Sequence, residues 1–463
     1  MTVHDIALVN GTIAPVQGKR HQDLTSPLTG QQDRRTAHAD DADVDAAVSA
    51  ARDAFPAWSQ TDAATRRKVI EALADGIEQR ADDLAAAINA EVGTPEKIAR
   101  AVQASLPVHV LRGFAADLDA ALADETIGHS TITHRPIGVI AAITPWNYPL
   151  HQAMAKIGAG LAAGCTLVVK PSELTPRTNA MMMEILAETT PAGVVNVVPG
   201  DARTGAALVN HPGIDAVSFT GSVEGGRAVA QAAASHLKPC FLELGGKSAG
   251  ILLDDADPDA ALKAMVNGGL LNSGQTCNAL TRILVPRAML HDAAAKVGAL
   301  ADQMATRLGP VISQAQFDRV RGFIARAKAN PKIELVTGAD PAAGQRGWQV
   351  QPAVFLAHDR AAEIVQSEVF GPVIVVLGYD DEDDLIALAN DTAYGLAAAI
   401  WGADAARIDR IIARLRAGQI DVNGAPFNPR APFGGFNQSG SGREMGLFGI
   451  REFQRPVSVQ KKA

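Results

Sequence analysis

The stretch Gly138-Val139-Ile140-Ala141-Ala142-Ile143-Thr144, running into Pro145-Trp146-Asn147-Tyr148-Pro149, decides how this chain is read. The first seven residues are uncharged and read as an apolar strand. A helical period follows from about Leu150 to Ala163, then a second apolar strand, Thr166-Leu167-Val168-Val169-Lys170. A helix over Asn179 to Glu188 comes next, with Met181, Met182 and Met183 read as core filler. Val194 to Val198 and Ala216 to Phe219 continue as strands. Alternation of this kind predicts an α/β fold, a parallel sheet covered by helices with ligands at the carboxyl ends of its strands.

The unusual residues fall at those ends. Pro145-Trp146-Asn147 closes the first strand, Lys170-Pro171-Ser172-Glu173 the second and Pro199-Gly200 the third. Phe219-Thr220-Gly221-Ser222 closes the fourth, followed by Gly225 and Gly226. One such loop is ordinary turn chemistry, whereas four at successive strand ends point to a dinucleotide site. The glycines let phosphate approach the backbone, and the helix after Ser222 offers it free N–H groups. No G-x-G-x-x-G occurs, so this is not the usual fingerprint. Lys170 and Glu173 suit ribose hydroxyls, and a carboxylate at Glu173 repels an extra 2′-phosphate. NAD is therefore favoured, with NADP as the second option.

Farther along, Glu243-Leu244-Gly245-Gly246-Lys247-Ser248 and Gly274-Gln275-Thr276-Cys277 set a carboxylate and a thiol beside glycines. Those are the parts of a covalent enzyme. The thiolate is the attacking form, and free cysteine is mostly thiol near neutrality, so the site must activate it. A carboxylate is a poor base toward a thiol but can activate the water that later cleaves a thioester. Cys165 and Cys240 read as small buried apolar residues.

Beyond Cys277 the alternation resumes. Arg282 to Val285 reads as a strand, with helices over about Asp292 to Thr306 and Gln314 to Ala329. Glu368-Val369-Phe370-Gly371-Pro372 precedes a strand over Val373 to Gly378, and Arg455 to Gln460 alternates like a strand. Toward the N-terminus, short strands and turns reach about Thr36. A helix from Asp43 puts Val44, Val48, Ala51 and Phe55 on one face, and a second helix carries Val69, Leu73, Ile77, Leu84 and Ile88. Another helical segment reaches about Ala120. Ile127 to Pro136 reads as an exposed strand or hairpin, where His129 and His134 mark a polar strand face and no metal is expected.

A chain of 463 residues is too long for one simple core and implies two or three domains. Its 47% hydrophobic and 20% charged residues mark it as globular and ordered. A net charge of −8 argues against nucleic-acid binding. Three widely spaced cysteines give neither a disulfide framework nor a zinc ligand set, and fit a reduced compartment. Met1 to Pro15 lacks the basic start and apolar core of a signal peptide, and no apolar run approaches the ~20 residues that span a bilayer. The expectation is a cytoplasmic enzyme without a membrane partner.

Seven motifs occur in one order: Pro-Trp-Asn at 145–147, Lys-Pro-Ser-Glu at 170–173, Phe-Thr-Gly-Ser at 219–222, Glu-Leu-Gly-Gly-Lys at 243–247, Gly-Gln-x-Cys at 274–277, Glu-x-Phe-Gly-Pro at 368–372 and Pro-Phe-Gly-Gly at 432–435. In that order, and with 34 residues from Glu243 to Cys277, the chain resembles the aldehyde dehydrogenase superfamily over nearly its whole length. The resemblance implies an α/β subunit in three parts. A Rossmann-like cofactor domain would take residues 1–113 and 137–244, and an α/β catalytic domain 245–440. A β oligomerisation arm would take 114–136 and 441–463, assembling a homodimer or homotetramer.

The resemblance also implies NAD(P)-dependent oxidation of an aldehyde to a carboxylic acid. Cys277 would attack the carbonyl, and the Asn147 amide with the Cys277 N–H would hold the oxyanion, at ~3 kcal/mol per donor. Hydride transfer would leave a thioester, which water activated by Glu243 would hydrolyse. Lys156 and Glu444 match positions around the proton path. The cofactor site would comprise Thr144, Trp146, Lys170, Ser172, Glu173, Gly200, Phe219, Gly221, Ser222, Gly226, Leu244, Glu368 and Phe370. Within it Glu368 would hold the nicotinamide ribose, Phe370 would pack near the ring, Lys170 and Glu173 would bind the adenosine ribose, and Ser222 the pyrophosphate. Tyr148, Gln152, Asn278 and Phe427 would line the aldehyde tunnel. Ala155, at a position bulky in some relatives, implies a roomier apolar entrance and a medium-sized aliphatic or aromatic aldehyde.

Each of these residues has a plainer reading. Asn147 would simply cap the following helix, Glu173 and Glu368 would be surface charges, Trp146 and Phe370 core aromatics, and Arg443 a structural residue. The chain departs from the family before Leu308-Gly309-Pro310, where a loop is shortened, and at Asn437, where a lysine is common. Two other enzyme classes compete. A dehydrogenase passing its acyl group to coenzyme A often lacks the glutamate found here as Glu243, and a thioester hydrolase without redox chemistry needs no nucleotide loops.

Overall fold

The computed structural model describes residues 2–338 and 347–461; residue 1, residues 339–346 of the catalytic span and residues 462–463 of the arm lie outside them. Two seven-stranded sheets dominate. The first runs Cys240–Glu243, Ala216–Thr220, Val139–Ile143, Thr166–Lys170, Val195–Val197, Ile6–Val9 and Thr12–Pro15 across its width. Its first five strands are parallel. The last two are an antiparallel hairpin added at the edge. The expected alternation from Val139 to Thr220 is therefore present.

The order of that sheet positions the site. From Val139–Ile143 the chain steps outward through Thr166–Lys170 to Val195–Val197, then returns to place Ala216–Thr220 on the other side of the first strand. The switch point lies between Ile143 and Thr220, where the connecting helices leave opposite faces of the sheet and a crevice opens. Pro145-Trp146-Asn147 and Gly221-Ser222 flank that crevice.

The second sheet runs Ile333–Thr337, Ala353–Ala357, Val373–Tyr379, Arg282–Pro286, Ala249–Leu252, Ala397–Trp401 and Gln419–Val422, parallel except at Ile333–Thr337. Gln454–Gln460 pairs antiparallel with Ser130–Pro136, which pairs with Glu125–Ile127, in a separate three-stranded sheet. A last sheet joins Thr2–His4, Gln32–His38 and Arg20–Thr25.

The helix Pro149–Ala163 is buried at every position. Gly158 and Gly160 explain how: a Cβ there would stand 2.6 Å from Phe114 and 2.9 Å from Leu167. Gly164, at φ 86°, ends the helix in the left-handed region. The single helix expected over Val69 to Ile88 is two, Ala63–Gln79 and Ala81–Val92, broken at Arg80 (φ −105°, ψ 15°). Arg80 turns its guanidinium to Glu188 of the helix Pro176–Thr189, at 2.7 Å. Met182 and Met183 are core residues, and Met181 packs against that core. No helix among the described residues is long and apolar enough to cross a membrane.

Candidate active site

Cys277 belongs to the loop after the amphipathic helix Pro258–Leu270. That loop passes through three successive left-handed residues, Asn272 (φ 51°), Ser273 (φ 57°) and Gly274 (φ 73°). Only glycine fits at 274, because a Cβ would stand 2.1 Å from the Gly371 carbonyl oxygen.

Two cavities meet at this loop. One, of about 360 Å³, is walled mainly by apolar groups of Val102, Leu106, Leu271, Phe427, Phe433 and Met445, with Tyr148, His151 and Asn278 among them. The other, of about 270 Å³, is walled by Trp146, Thr220, Gly221, Ser222, Leu244, Glu368 and Phe370. Gln152 and Cys277 line both. All four tunnel residues expected from sequence border the first cavity. Ala155 does not; it is buried in the helix core.

Burial and two carboxyl groups, Glu368 and Glu243, push the Cys277 thiol well above its ordinary range. Those surroundings favour the thiol over the thiolate, so activating Cys277 requires a change in them. Glu243 lies outside both cavity walls, 3% exposed, with no hydrogen-bond partner on either carboxyl oxygen. Burial, with the charge of Glu444 behind it, holds Glu243 well above the usual carboxylate range. A buried carboxyl without partners takes up a proton or a water.

Asn147 is buried, and its amide donates to the Gln275 carbonyl at 3.0 Å. It does not cap the helix, which starts from Tyr148 without a side-chain cap. Lys156, fully buried, ion-pairs with Glu444 and donates to Ser218 Oγ at 2.9 Å.

Trp146 and Phe370 meet edge to face with centroids 5.4 Å apart across the second cavity. Glu368 accepts from the Gly246 N–H at 3.0 Å, and burial pushes its carboxyl up to about 7. Ser222 caps the helix Val223–Ser235 by accepting from the Gly225 N–H. Phe219 covers Gly221, and Leu244 fills the space that a side chain on Gly226 would need.

Lys170, Ser172, Glu173 and Gly200 form a group outside this cavity. The Lys170 ammonium donates to the Gly200 carbonyl at 2.7 Å and stands 3.8 Å from Glu173. Ser172 Oγ accepts from the Leu174 N–H. Thr144 is buried with its hydroxyl unpartnered. Sequence reasoning missed Gln316 and Arg319, which line the second cavity and donate to the Phe370 and Glu368 carbonyls at 2.7 Å. They sit on an amphipathic helix, Gln314–Ala329, where nothing in the spacing marks them.

These features fit a dinucleotide. The crevice at the sheet's switch point has Gly221 and the start of the helix after Ser222 in one wall and a carboxyl, Glu368, seated where Gly245 leaves room for it. Unpartnered hydroxyls at Thr144 and Thr220 remain to be satisfied. Among the described residues no cluster of three or more His, Cys, Asp or Glu could hold a metal.

Comparison with known proteins agrees. The profile of the Aldehyde dehydrogenase family matches residues 14–459. Geranial dehydrogenase of Castellaniella defragrans is 39% identical over 434 residues, 90% of each chain. The 3-succinoylsemialdehyde-pyridine dehydrogenase of a Pseudomonas species is 38% identical, over 96% of each. The crystal structure of aldehyde dehydrogenase C of Pseudomonas syringae, a Cys-to-Ala mutant with NAD+ and octanal, superposes with a TM-score of 0.96 at 37% identity, covering 99% of this chain and 96% of that one. With its motif order, sheet topology and paired cavities, the chain belongs to the aldehyde dehydrogenase family.

Proposed function

We propose that this enzyme oxidises a medium-sized, mainly apolar aldehyde to its carboxylic acid with NAD, with NADP as the weaker alternative, Cys277 acting as nucleophile. The observation that carries the reading is the shared wall: Gln152 and Cys277 border both an apolar tunnel and a nucleotide-sized crevice. An aldehyde in the tunnel brings its carbonyl to Cys277 Sγ. Once the Cys277 thiol has lost its proton to solvent, its sulfur adds to the carbonyl carbon, the C=O π bond opens, and the charge falls on the oxygen, which the Asn147 amide and the Cys277 N–H stabilise by ~3 kcal/mol per donor. NAD, when bound, supplies the hydride acceptor that oxidises the thiohemiacetal to a thioester.

Glu243 then takes a proton from the water that attacks the thioester. The new C–O bond replaces C–S, the acid leaves, and the proton passes toward Glu444 and Lys156. Trp146 and Phe370 wall the nicotinamide end and Glu368 holds its ribose; Lys170 and Glu173 take the adenosine ribose, and Ser222 the pyrophosphate. Tyr148, Asn278 and Phe427 shape the tunnel. The geranial and octanal of two relatives fit the apolar walls. Residues 1–113 with 137–244, 245–440, and 114–136 with 441–463 form the cofactor, catalytic and arm parts. The arm's sheet joins subunits as a dimer or tetramer in the cytoplasm.

The test is NADH formation from a panel of aldehydes with wild type, Cys277→Ala and Glu243→Gln. Free acid without coenzyme A, no turnover in Cys277→Ala, and a single burst of NADH without turnover in Glu243→Gln are expected. Dependence on coenzyme A would replace hydrolysis by acyl transfer, and turnover by Cys277→Ala would overturn the nucleophile.

A further inference from the structure

Behind Asn147 and the Cys277 loop lies a hydrogen-bonded chain that the mechanism above leaves unused. Gln103 Nε2 donates to Thr94 Oγ1 at 2.7 Å, and the Thr94 hydroxyl donates to Asn272 Oδ1 at 2.6 Å. Asn272 Nδ2 then donates to the Asn147 carbonyl at 3.1 Å and to the Gln275 carbonyl at 3.4 Å. Asn147 closes the circuit by donating to that same Gln275 carbonyl at 3.0 Å. Thr94 and Gln103 are each 1% exposed, Asn272 is 4% and Gln275 is wholly buried. Water cannot stand in for a missing partner without a place to go.

The order of donors is fixed. A hydroxyl has one proton, so Thr94, by accepting from Gln103, directs that proton at Asn272. Asn272 must then turn its oxygen to Thr94 and its NH₂ to the two carbonyls. Its backbone is left-handed at φ 51°, which the circuit holds in place. Gln103 itself lies in the π-helical turn Ala99–Ala104, and Ala101 and Val102 of that turn line the tunnel. Such turns recur at functional sites.

We propose that Thr94 and Asn272 are positioning residues. They set the Asn147 amide and the Cys277 backbone N–H at the distance the oxyanion needs, and tie that geometry to the tunnel's π-turn. The proposal rests on the reading of Asn147 and Cys277 given above. A misplacement of ~1 Å in such donors costs about a hundredfold in rate.

The test compares wild type with Thr94→Val, Thr94→Ser and Asn272→Gly, using octanal and NAD. Glycine keeps the left-handed backbone at 272 while deleting the amide. Thr94→Val and Asn272→Gly are expected to lower kcat about a hundredfold, with KM for octanal and Kd for NAD within threefold of wild type and Tm nearly unchanged; Thr94→Ser restores kcat. Hydrogen exchange, which needs no turnover, is expected to quicken in Thr94→Val only in peptides covering 145–149 and 271–279. A wild-type kcat in Thr94→Val with unchanged exchange would overturn the proposal, as would a loss that follows Tm and is not restored by serine. Absence of wild-type turnover would instead count against the dehydrogenase reading, with exchange still deciding the positioning role.

Discussion

Gly245 and Glu368 are fitted to one another: a Cβ on Gly245 would stand 2.2 Å from Glu368 Oε2. The carboxylate occupies the volume that any other residue at 245 would fill. Gly245→Ala is therefore expected to drive the Glu368 carboxylate from its place and break its bond to the Gly246 N–H. A hydrogen bond to a charged group contributes about 1.5–3 kcal/mol, so Kd for NAD is expected to rise roughly ten- to hundredfold. Fluorescence titration checks this; unchanged affinity would remove Glu368 from the cofactor site.

Glu368 also predicts a pH dependence. Burial raises its carboxyl from the ordinary 4.5 to about 7. At this carboxyl the folded state binds more protons than the unfolded state in that interval, so its contribution to stability falls as pH rises from about 4.5 to about 7 and levels off above. Glu368→Gln removes that slope. Unfolding by urea at several pH values is expected to show the variant gaining on wild type by a few kcal/mol across this window. Parallel curves would place the carboxyl's titration elsewhere.

Lys156 and Glu444 form an ion pair almost without solvent. Removing one partner leaves the other charge buried. Lys156→Met is expected to cost about 3–5 kcal/mol in stability, read by chemical denaturation, with a larger loss than any exposed pair such as Arg414–Asp383.

The three thiols should all be sluggish in the protein without cofactor. Burial pushes Cys165 up to about 12 and Cys240 up to about 11, and Cys277 is raised as well. Iodoacetamide at pH 7.5 is expected to label all three far more slowly than a free thiol, with rates rising through pH 9. Fast labelling of Cys277 at neutral pH would contradict a raised thiol at that position.

Four strands of the first sheet, from Val139 to Thr220, could be read directly because each is an apolar run closed by a proline, lysine or glycine turn; Cys240–Glu243 at its edge could not. Five of the seven strands of the second sheet could not; only Arg282–Pro286 and Val373–Tyr379 were legible. Ala249–Leu252 (Ala-Gly-Ile-Leu) and Ala397–Trp401 (Ala-Ala-Ala-Ile-Trp) are short and open on alanine or glycine, which carry no strand preference; only pairing with their neighbours makes them strands. Most residues that line the second cavity were visible as motifs, since glycine and proline punctuate them. The residues behind them were not. Thr94 and Asn272 bond across 178 residues of chain, and neither stands in a pattern that predicts the other. Gln316 and Arg319 reach the crevice through backbone carbonyls, which any sequence supplies. The break at Arg80 escaped notice because the apolar period runs through it in phase.

The helix Pro149–Ala163 has no side facing water. It offers Gln152 to both cavities and Lys156 to Glu444, and it starts beside Asn147. A segment so enclosed has no spare volume for experiment, since an added methylene must displace a packed neighbour. A lineage adapting this enzyme to a different aldehyde would find its freedom on the opposite wall, in the π-turn around Ala101 and the loop carrying Phe427, where a changed side chain meets open space instead of the core.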